Sequence, residues 1–220
     1  MRYVFGFAAT LGTIGLFAVP AHAQTSSGSN YVSGSLGVTF PQDATTSLGV
    51  RARLNNGMSA SLAVGHAFGP IRGEIEGFWR QNDVRDARGF GFTIPGQGNV
   101  SAYGAMANVY LDPAFHVGPL KPYVGGGIGL SDFHAYNVSS VGTPFGLPFT
   151  GLGPVNGTKL GYAYQGMAGV GIAASRFATL TIGYRYWATP SVRLRIADYG
   201  RVRVNGLQQH GAEVGLRFAF

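Results

Sequence analysis

The chain has 220 residues, of which 11% are charged and 45% hydrophobic, and 36 residues are glycine. An average soluble domain carries about 25% charged residues, so this composition leaves too few charges to cover a soluble surface. The sequence contains no cysteine, which excludes a disulfide scaffold, thiol catalysis and zinc–thiolate sites.

The first 23 residues have the features of a cleaved secretory signal peptide. Arg2 precedes an apolar run over residues 4–19, and Ala21-His22-Ala23 is the small-x-small pattern after which signal peptidase cuts. A retained membrane anchor is the alternative, and three glycines within the apolar run disfavour it. We therefore expect residues 1–23 to be removed and residues 24–220 to form one exported domain.

Eight segments of the exported part alternate with a period of two residues and are predicted strands. One parity carries apolar side chains and the other carries small or polar ones, which is typical of a strand whose two faces meet different surroundings. In the fourth segment both parities contain large residues, and we place Asn108 on the polar side. The predicted strands cover residues 32–40, 58–68, 71–80, 100–111, 121–133, 159–174, 179–186 and 209–220.

The third predicted strand is the most informative, because it sets Ile71, Ile75 and Trp79 against four ionisable side chains. In a soluble sandwich these charges would point to water, whereas a membrane barrel turns them inward and its oily face to lipid. No later stretch reaches the roughly 18 apolar residues that a membrane helix requires, so strands would have to cross. We predict a narrow barrel whose lumen pairs charges of both signs, namely Arg72, Glu74, Glu76, Arg80, Arg185, Glu213 and Arg217.

The connections alternate between short and long. Tight turns follow the second, fourth and sixth strands, whereas long connections span residues 41–57, 81–99, 136–158 and 187–206. This alternation is typical of bacterial barrels, with short periplasmic turns and long extracellular loops.

The last long connection contains two alternating runs on either side of residues 197–200, which predicts a protruding hairpin. The net charge of +7 would suggest nucleic acid as partner of a cytosolic protein, but an exported chain seldom meets it. Phosphate groups of lipopolysaccharide, or another extracellular polyanion, are the better match. The candidate contact residues are Arg193, Arg195, Arg201 and Arg203.

The C-terminus carries the pattern polar-x-Gly-x-x-aromatic-x-aromatic, formed by Glu213, Gly215, Phe218 and Phe220. It resembles the terminal strand that the barrel-assembly machinery recognises. Together with the segments at residues 106–110 and 121–129, it makes the exported part similar to small Gram-negative outer-membrane barrels of the OmpA and opacity-protein type, which include porin-like proteins and surface antigens. The resemblance implies an all-β, eight-stranded antiparallel up-and-down transmembrane barrel in the outer membrane.

No enzymatic site is predicted. The strands contain no His-x-Ser, the chain contains no Gly-x-Ser-x-Gly elbow, and His210 and Glu213 fall on opposite faces of one strand. The aspartates are too dispersed for a metal site, and the glycine-rich run at residues 125–129 has no helix after it, so no cofactor is expected either. We expect a structural or surface-interaction protein; the alternatives are a narrow channel for ions or small solutes and a soluble exported carrier.

Overall fold

The computed structural model describes residues 28–45, 51–89, 92–114, 117–142, 149–190, 192–196, 200–204 and 206–220, so the predicted signal peptide lies outside the described residues. These residues form twelve strands. They are β1 (Gly28–Pro41), β2 (Ala44–Thr45), β3 (Arg51–Leu54), β4 (Gly57–Phe68), β5 (Ile71–Gly89), β6 (Phe92–Leu111), β7 (Leu120–Gly142), β8 (Phe149–Ala173), β9 (Ala178–Ala188), β10 (Val192–Ile196), β11 (Gly200–Val204) and β12 (Gln208–Ala219). A search of the same residues for a helix long and apolar enough to cross a membrane found none.

Eight of these strands close into one antiparallel up-and-down barrel, as predicted. The ring runs β1, β4, β5, β6, β7, β8, β9 and β12. Because β1 pairs with β4 on one side and with β12 on the other, the sheet has no free edge along this ring. Gly34, for example, lies opposite Leu62 of β4 and Leu216 of β12.

Three short connections and both described ends of the chain lie at one end of the barrel. Two of these connections turn at glycines with positive φ, Gly69 at 71° and Gly118 at 59°, a backbone conformation that favours glycine. The long connections lie at the other end. There β2 and β3 extend the sheet beside β5, and β10 pairs with β11 as the predicted hairpin.

Three predicted loops are wrong in part, and the first of them, residues 41–57, contains β2 and β3. The ladder of β5 and β6 continues through residues 81–99 to the pair Gly89 and Phe92, with a bulge between Asp83 and Asp86. The ladder of β7 and β8 likewise continues to Gly142 and Phe149. Glycine, proline and asparagine hide the two-residue period in these segments, and bulges shift it, so the sequence pattern ended each strand too early.

The apolar parity of the strands forms the outside of the barrel. Large hydrophobic side chains are exposed there on every barrel strand, among them Leu36, Leu62, Ile75, Ile128 and Val214. The buried side chains, most of them polar, lie inside. Such an arrangement is inverted relative to a soluble protein and matches a surface that meets lipid.

Depth in the bilayer therefore sets the cost of a charge on this outer face. Leu62 and Met58 are both exposed on β4, Leu62 near its middle and Met58 at the end of the long connections. We expect Leu62→Arg to lower the free energy of unfolding by about 2–4 kcal/mol and Met58→Arg by about 0–1 kcal/mol. Urea titration in lipid vesicles measures both, and equal losses would contradict a membrane centred on the strands.

Candidate functional site

The middle of the lumen is crossed by an ion-pair network around Arg185. Its Nη1 donates to Oε1 of Glu76 at 2.5 Å and to Oε1 of Gln165 at 2.9 Å. Its Nε lies 2.8 Å from Oε1 of Glu213, which is an ion-pair distance without hydrogen-bond alignment. Four strands, β5, β8, β9 and β12, are thereby connected across the interior.

Glu76 is only 1% exposed, and both oxygens of its carboxylate accept hydrogen bonds. Besides the Arg185 contact, Oε2 accepts hydrogen bonds from Nδ2 of Asn108 at 2.7 Å and from Nε2 of Gln165 at 3.1 Å. Asn108 therefore faces the lumen, as predicted for the fourth strand. A buried carboxylate with this many donors avoids the cost of an unpaired charge.

A second polar layer lies nearer the short turns and is organised by Arg72. Its Nε and Nη2 donate to the two carboxylate oxygens of Asp112 at 2.6 and 3.0 Å. The guanidinium also lies 4.4 Å from the ring centre of Tyr110, a cation–π distance. Arg217 approaches the same carboxylate at 3.9 Å.

Glu74 belongs to this layer but has no arginine as its direct partner among the described contacts. Its carboxylate accepts hydrogen bonds from the hydroxyls of Tyr31 and Tyr110 at 3.0 and 2.7 Å and from Nδ2 of Asn108 at 3.1 Å. Six of the seven predicted lumen residues thus fall into two networks, which Asn108 connects, and Arg80 belongs to neither. Only Arg185, Glu76 and Glu213 pair within the predicted set.

Asp112 is the lumen residue that sequence reasoning missed. It stands in the turn after β6, where alternation gives no information about direction, and it supplies the partner of Arg72. With it, the lumen set contains four arginines and four carboxylates. The proline that follows at position 113 predicts the turn, but it gives no direction for the side chain before it.

Arg80 differs from the other lumen arginines. It is 2% exposed, and among the described residues no carboxylate lies within ion-pair distance of it. Its guanidinium instead lies 5.1 Å from the ring centre of Trp187 and 5.6 Å from that of Phe78. Both rings belong to a buried apolar cluster that also includes Met106, Ala102 and Ala163, with Phe133 and Leu207 packed against it.

Above this apolar cluster, toward the long connections, polar side chains form a small network. Nδ2 of Asn82 donates to Oγ1 of Thr39 at 2.9 Å, and Nε2 of Gln209 donates to Oδ1 of Asn82 at 2.7 Å. Below the cluster, a cavity of about 60 Å³ remains, lined in part by Ser33, Glu74 and Arg217. This space suits one or two water molecules.

The outward face carries a group of rings at the end of the long connections. Four of them, contributed by β8, β9 and β12, lie together: Tyr164, Tyr184, Tyr186 and His210. Nδ1 of His210 is hydrogen bonded to the Tyr184 hydroxyl at 2.5 Å, and its Nε2 to the Gln42 amide at 2.7 Å. This clustering was not predicted, because it depends on which strands are neighbours.

The C-terminal residues singled out by the sequence lie on the strand that closes the barrel. Phe218 and Phe220 are exposed on the outside, whereas Glu213 and Gly215 are on the lumen parity. A Cβ at Gly215 would lie 2.8 Å from the carbonyl oxygen of Gly34, so this position needs glycine. The recognition of this strand by the assembly machinery stays a prediction.

The basic hairpin has the predicted backbone pairing. Arg193 is opposite Arg203, and Arg195 is opposite Arg201. All four therefore occupy register positions of the same parity, and their contact with a polyanion stays a prediction.

Comparison with known proteins gives the same architecture. A family model described as "Outer membrane protein beta-barrel domain" matches residues 9–220. Neisserial surface protein A (NspA) is 19% identical, with 87% of this chain and 97% of that chain covered and a TM-score of 0.56. The outer membrane protein OprG from Pseudomonas aeruginosa is 12% identical, with 88% and 96% covered and a TM-score of 0.59.

The outer membrane protease OmpT from Escherichia coli is a looser match, at 8% identity, a TM-score of 0.39 and coverage of 91% and 99%. A similarity this low gives no information about catalysis by this chain. No curated protein matched the chain in sequence.

Removing Arg185 tests the central network. Arg185→Met leaves Glu76 and Glu213 buried without their cation, so we expect a loss of about 3–5 kcal/mol in the free energy of unfolding. The double variant E76M/R185M should lose less, because one of the two unpaired carboxylates is gone.

Arg176→Met in an exposed turn is the matched control, with a change within about 0.5 kcal/mol in the free energy of unfolding. Urea titration in vesicles followed by tryptophan fluorescence measures the series, and an R185M loss no larger than that of R176M would contradict the network.

Proposed function

Because this chain belongs to the outer membrane protein β-barrel family and is located in the bacterial outer membrane, we propose that it is a surface-interaction protein with a closed lumen. In this proposal the barrel anchors four connections outside the cell. The connections carry the specificity, and the lumen supplies rigidity.

The observation that carries the proposal is the Arg185 network, which joins Glu76 and Glu213 across the interior. An ion that crosses would have to break contacts among side chains that are otherwise buried, and breaking a buried pair costs several kcal/mol. The apolar cluster around Trp187 adds a second barrier, because it offers few groups that could replace the hydration shell of an ion.

The alternative is a narrow porin-like channel, and the 60 Å³ cavity favours it. This cavity is lined by three arginines and two glutamates, which are side chains that can select ions. It would have to connect with both ends of the barrel when the networks rearrange.

Planar-bilayer recording separates the two candidate functions. We expect the purified protein to give no steady single-channel steps at neutral pH, while an open porin in the same membranes gives them. Steady steps from this protein would refute the closed lumen and support the channel.

The partner proposed for the hairpin of β10 and β11 is lipopolysaccharide. Four arginines within two short strands match its phosphate groups by charge, and guanidinium groups bind phosphate in a bidentate geometry.

Charge reversal at Arg193, Arg195, Arg201 and Arg203 is expected to abolish binding of lipopolysaccharide micelles to the detergent-solubilised protein. Arg176→Glu, at the opposite end of the barrel, is the matched control and should leave binding unchanged. Binding that survives the fourfold reversal would refute this role of the hairpin.

A further inference from the structure

The net positive charge of the chain is concentrated in the long connections. The lumen set balances four arginines with four carboxylates, whereas residues 41–57, 81–99, 136–158 and 187–206 contain eight arginines against four aspartates. An end of the molecule with this excess attracts anions.

Outside the hairpin, four arginines gather where β3 pairs with β5. The register places Arg51 directly opposite Arg88 and Arg53 directly opposite Asp86. Arg51 and Arg53 are two residues apart, and so are Asp86 and Arg88. These three arginines and Asp86 therefore lie on the same side of the small sheet. Arg85, in the bulge before Asp86, reaches the same carboxylate.

Asp86 lies at the centre of this cluster and forms ion pairs with three of its arginines. Its oxygens lie 3.3 Å from Nε of Arg88, 3.7 Å from Nη1 of Arg53 and 3.8 Å from Nε of Arg85. The carboxylate is 11% exposed, whereas the side chains of Arg85 and Arg88 are 57% and 51% exposed. One buried charge therefore organises three cations whose outer faces stay open to solvent.

Arg51 is still less neutralised. Its side chain is 59% exposed, and its described acidic neighbour, Asp43, is 4.0 Å away and itself exposed. Like charges directly opposite each other on paired strands are destabilising. The pairing of Arg51 with Arg88 is thus a local cost that a bound anion between the two guanidinium groups would remove.

We propose that the surface of Arg51, Arg53, Arg85 and Arg88, the β3–β5 basic surface, binds the sulfate or phosphate groups of an acidic polysaccharide. Planar guanidinium groups donate pairs of parallel hydrogen bonds to such tetrahedral oxyanions. The four arginines carry four positive charges, and Asp43 and Asp86 neutralise two of them. The surface therefore keeps a net charge of +2 for the ligand.

The position of this surface favours a polysaccharide over the phosphate of a membrane lipid. Arg88 is nine residues beyond the outward-facing Trp79 on β5, about 30 Å along the strand and about 20 Å in height for a strand tilted near 45°. The headgroup layer adds only about 5–8 Å to each side of the hydrocarbon core. The basic surface therefore stands above the lipid phosphates, given the orientation in the proposed function on which this inference rests.

Arg88→Glu separates binding from folding, because the attraction that it creates toward Arg51 offsets the loss of the 3.3 Å contact between Arg88 and Asp86. We expect R88E to unfold at about the same urea concentration as the wild type, since the side chains of Arg51 and Arg88 are both more than half exposed. Its affinity for fluorescent dextran sulfate should nevertheless fall about tenfold, since a charge-assisted contact is replaced by repulsion. Uncharged dextran is the ligand control, and Arg176→Glu, an equal charge change at the other end, should bind like the wild type.

Three outcomes overturn the proposal: no binding of dextran sulfate by the wild type, wild-type affinity in R88E, or an equal loss in R176E. The last would mean that net charge alone governs binding. The same ligand offered to intact cells tests the orientation separately. Binding by the purified protein without binding by intact cells would refute the proposed surface role and leave the basic surface as an anion site.

Discussion

The fold depends on one constraint: backbone N–H and C=O groups in a hydrocarbon layer have no water to bond with, so each must be satisfied by another strand. The pairing of β1 with both β4 and β12 meets this constraint, because it leaves no open edge in the ring of eight strands. Closing so few strands fixes a narrow interior that side chains can fill. The aromatic ending, Phe218 and Phe220, lies at the end of β12, the strand that makes this closure.

The narrow interior in turn decides how charge is distributed. A charge inside the barrel is far from water, so every lumen arginine needs a partner at close range. Arg185 has Glu76 and Glu213, Arg72 and Arg217 share Asp112, and Arg80 is placed over the rings of Trp187 and Phe78. The long connections face no such limit. They carry the positive excess of the chain, and the two proposed anion-binding surfaces lie there.

Much of this architecture could be predicted from the sequence, because a closed barrel imposes a two-residue period on every strand that crosses the membrane. Alternation alone placed Arg72, Glu76 and Arg185 inside and Leu62 and Ile128 outside. It also predicted the hairpin of β10 and β11. Where the strands extend beyond the membrane, both of their faces meet water. Alternation of apolar and polar residues is then not needed for stability, so the sequence pattern did not predict the outer ends of β5 to β8.

Partner choice within the lumen could not be predicted, because it depends on register between strands distant in sequence. Asp112 stands outside any alternating segment, and the sequence gives no sign that it meets Arg72. Arg80 shares its parity with Glu76, yet its position over Trp187 depends on how β5 faces β9 across the lumen. The pairing of Arg51 with Arg88 likewise requires the register of β3 on β5.

The central claim is that the lumen is filled by side chains and closed to ions, and the absence of native cysteine makes one direct measurement possible. Single cysteines at Ser59 and Ser131, both buried on the lumen side, can be exposed to a small charged methanethiosulfonate reagent. In the folded protein in vesicles, a filled lumen predicts no modification over the time in which the urea-unfolded protein is modified completely. Rapid modification of the folded protein at both positions would show a water-filled path and contradict the claim.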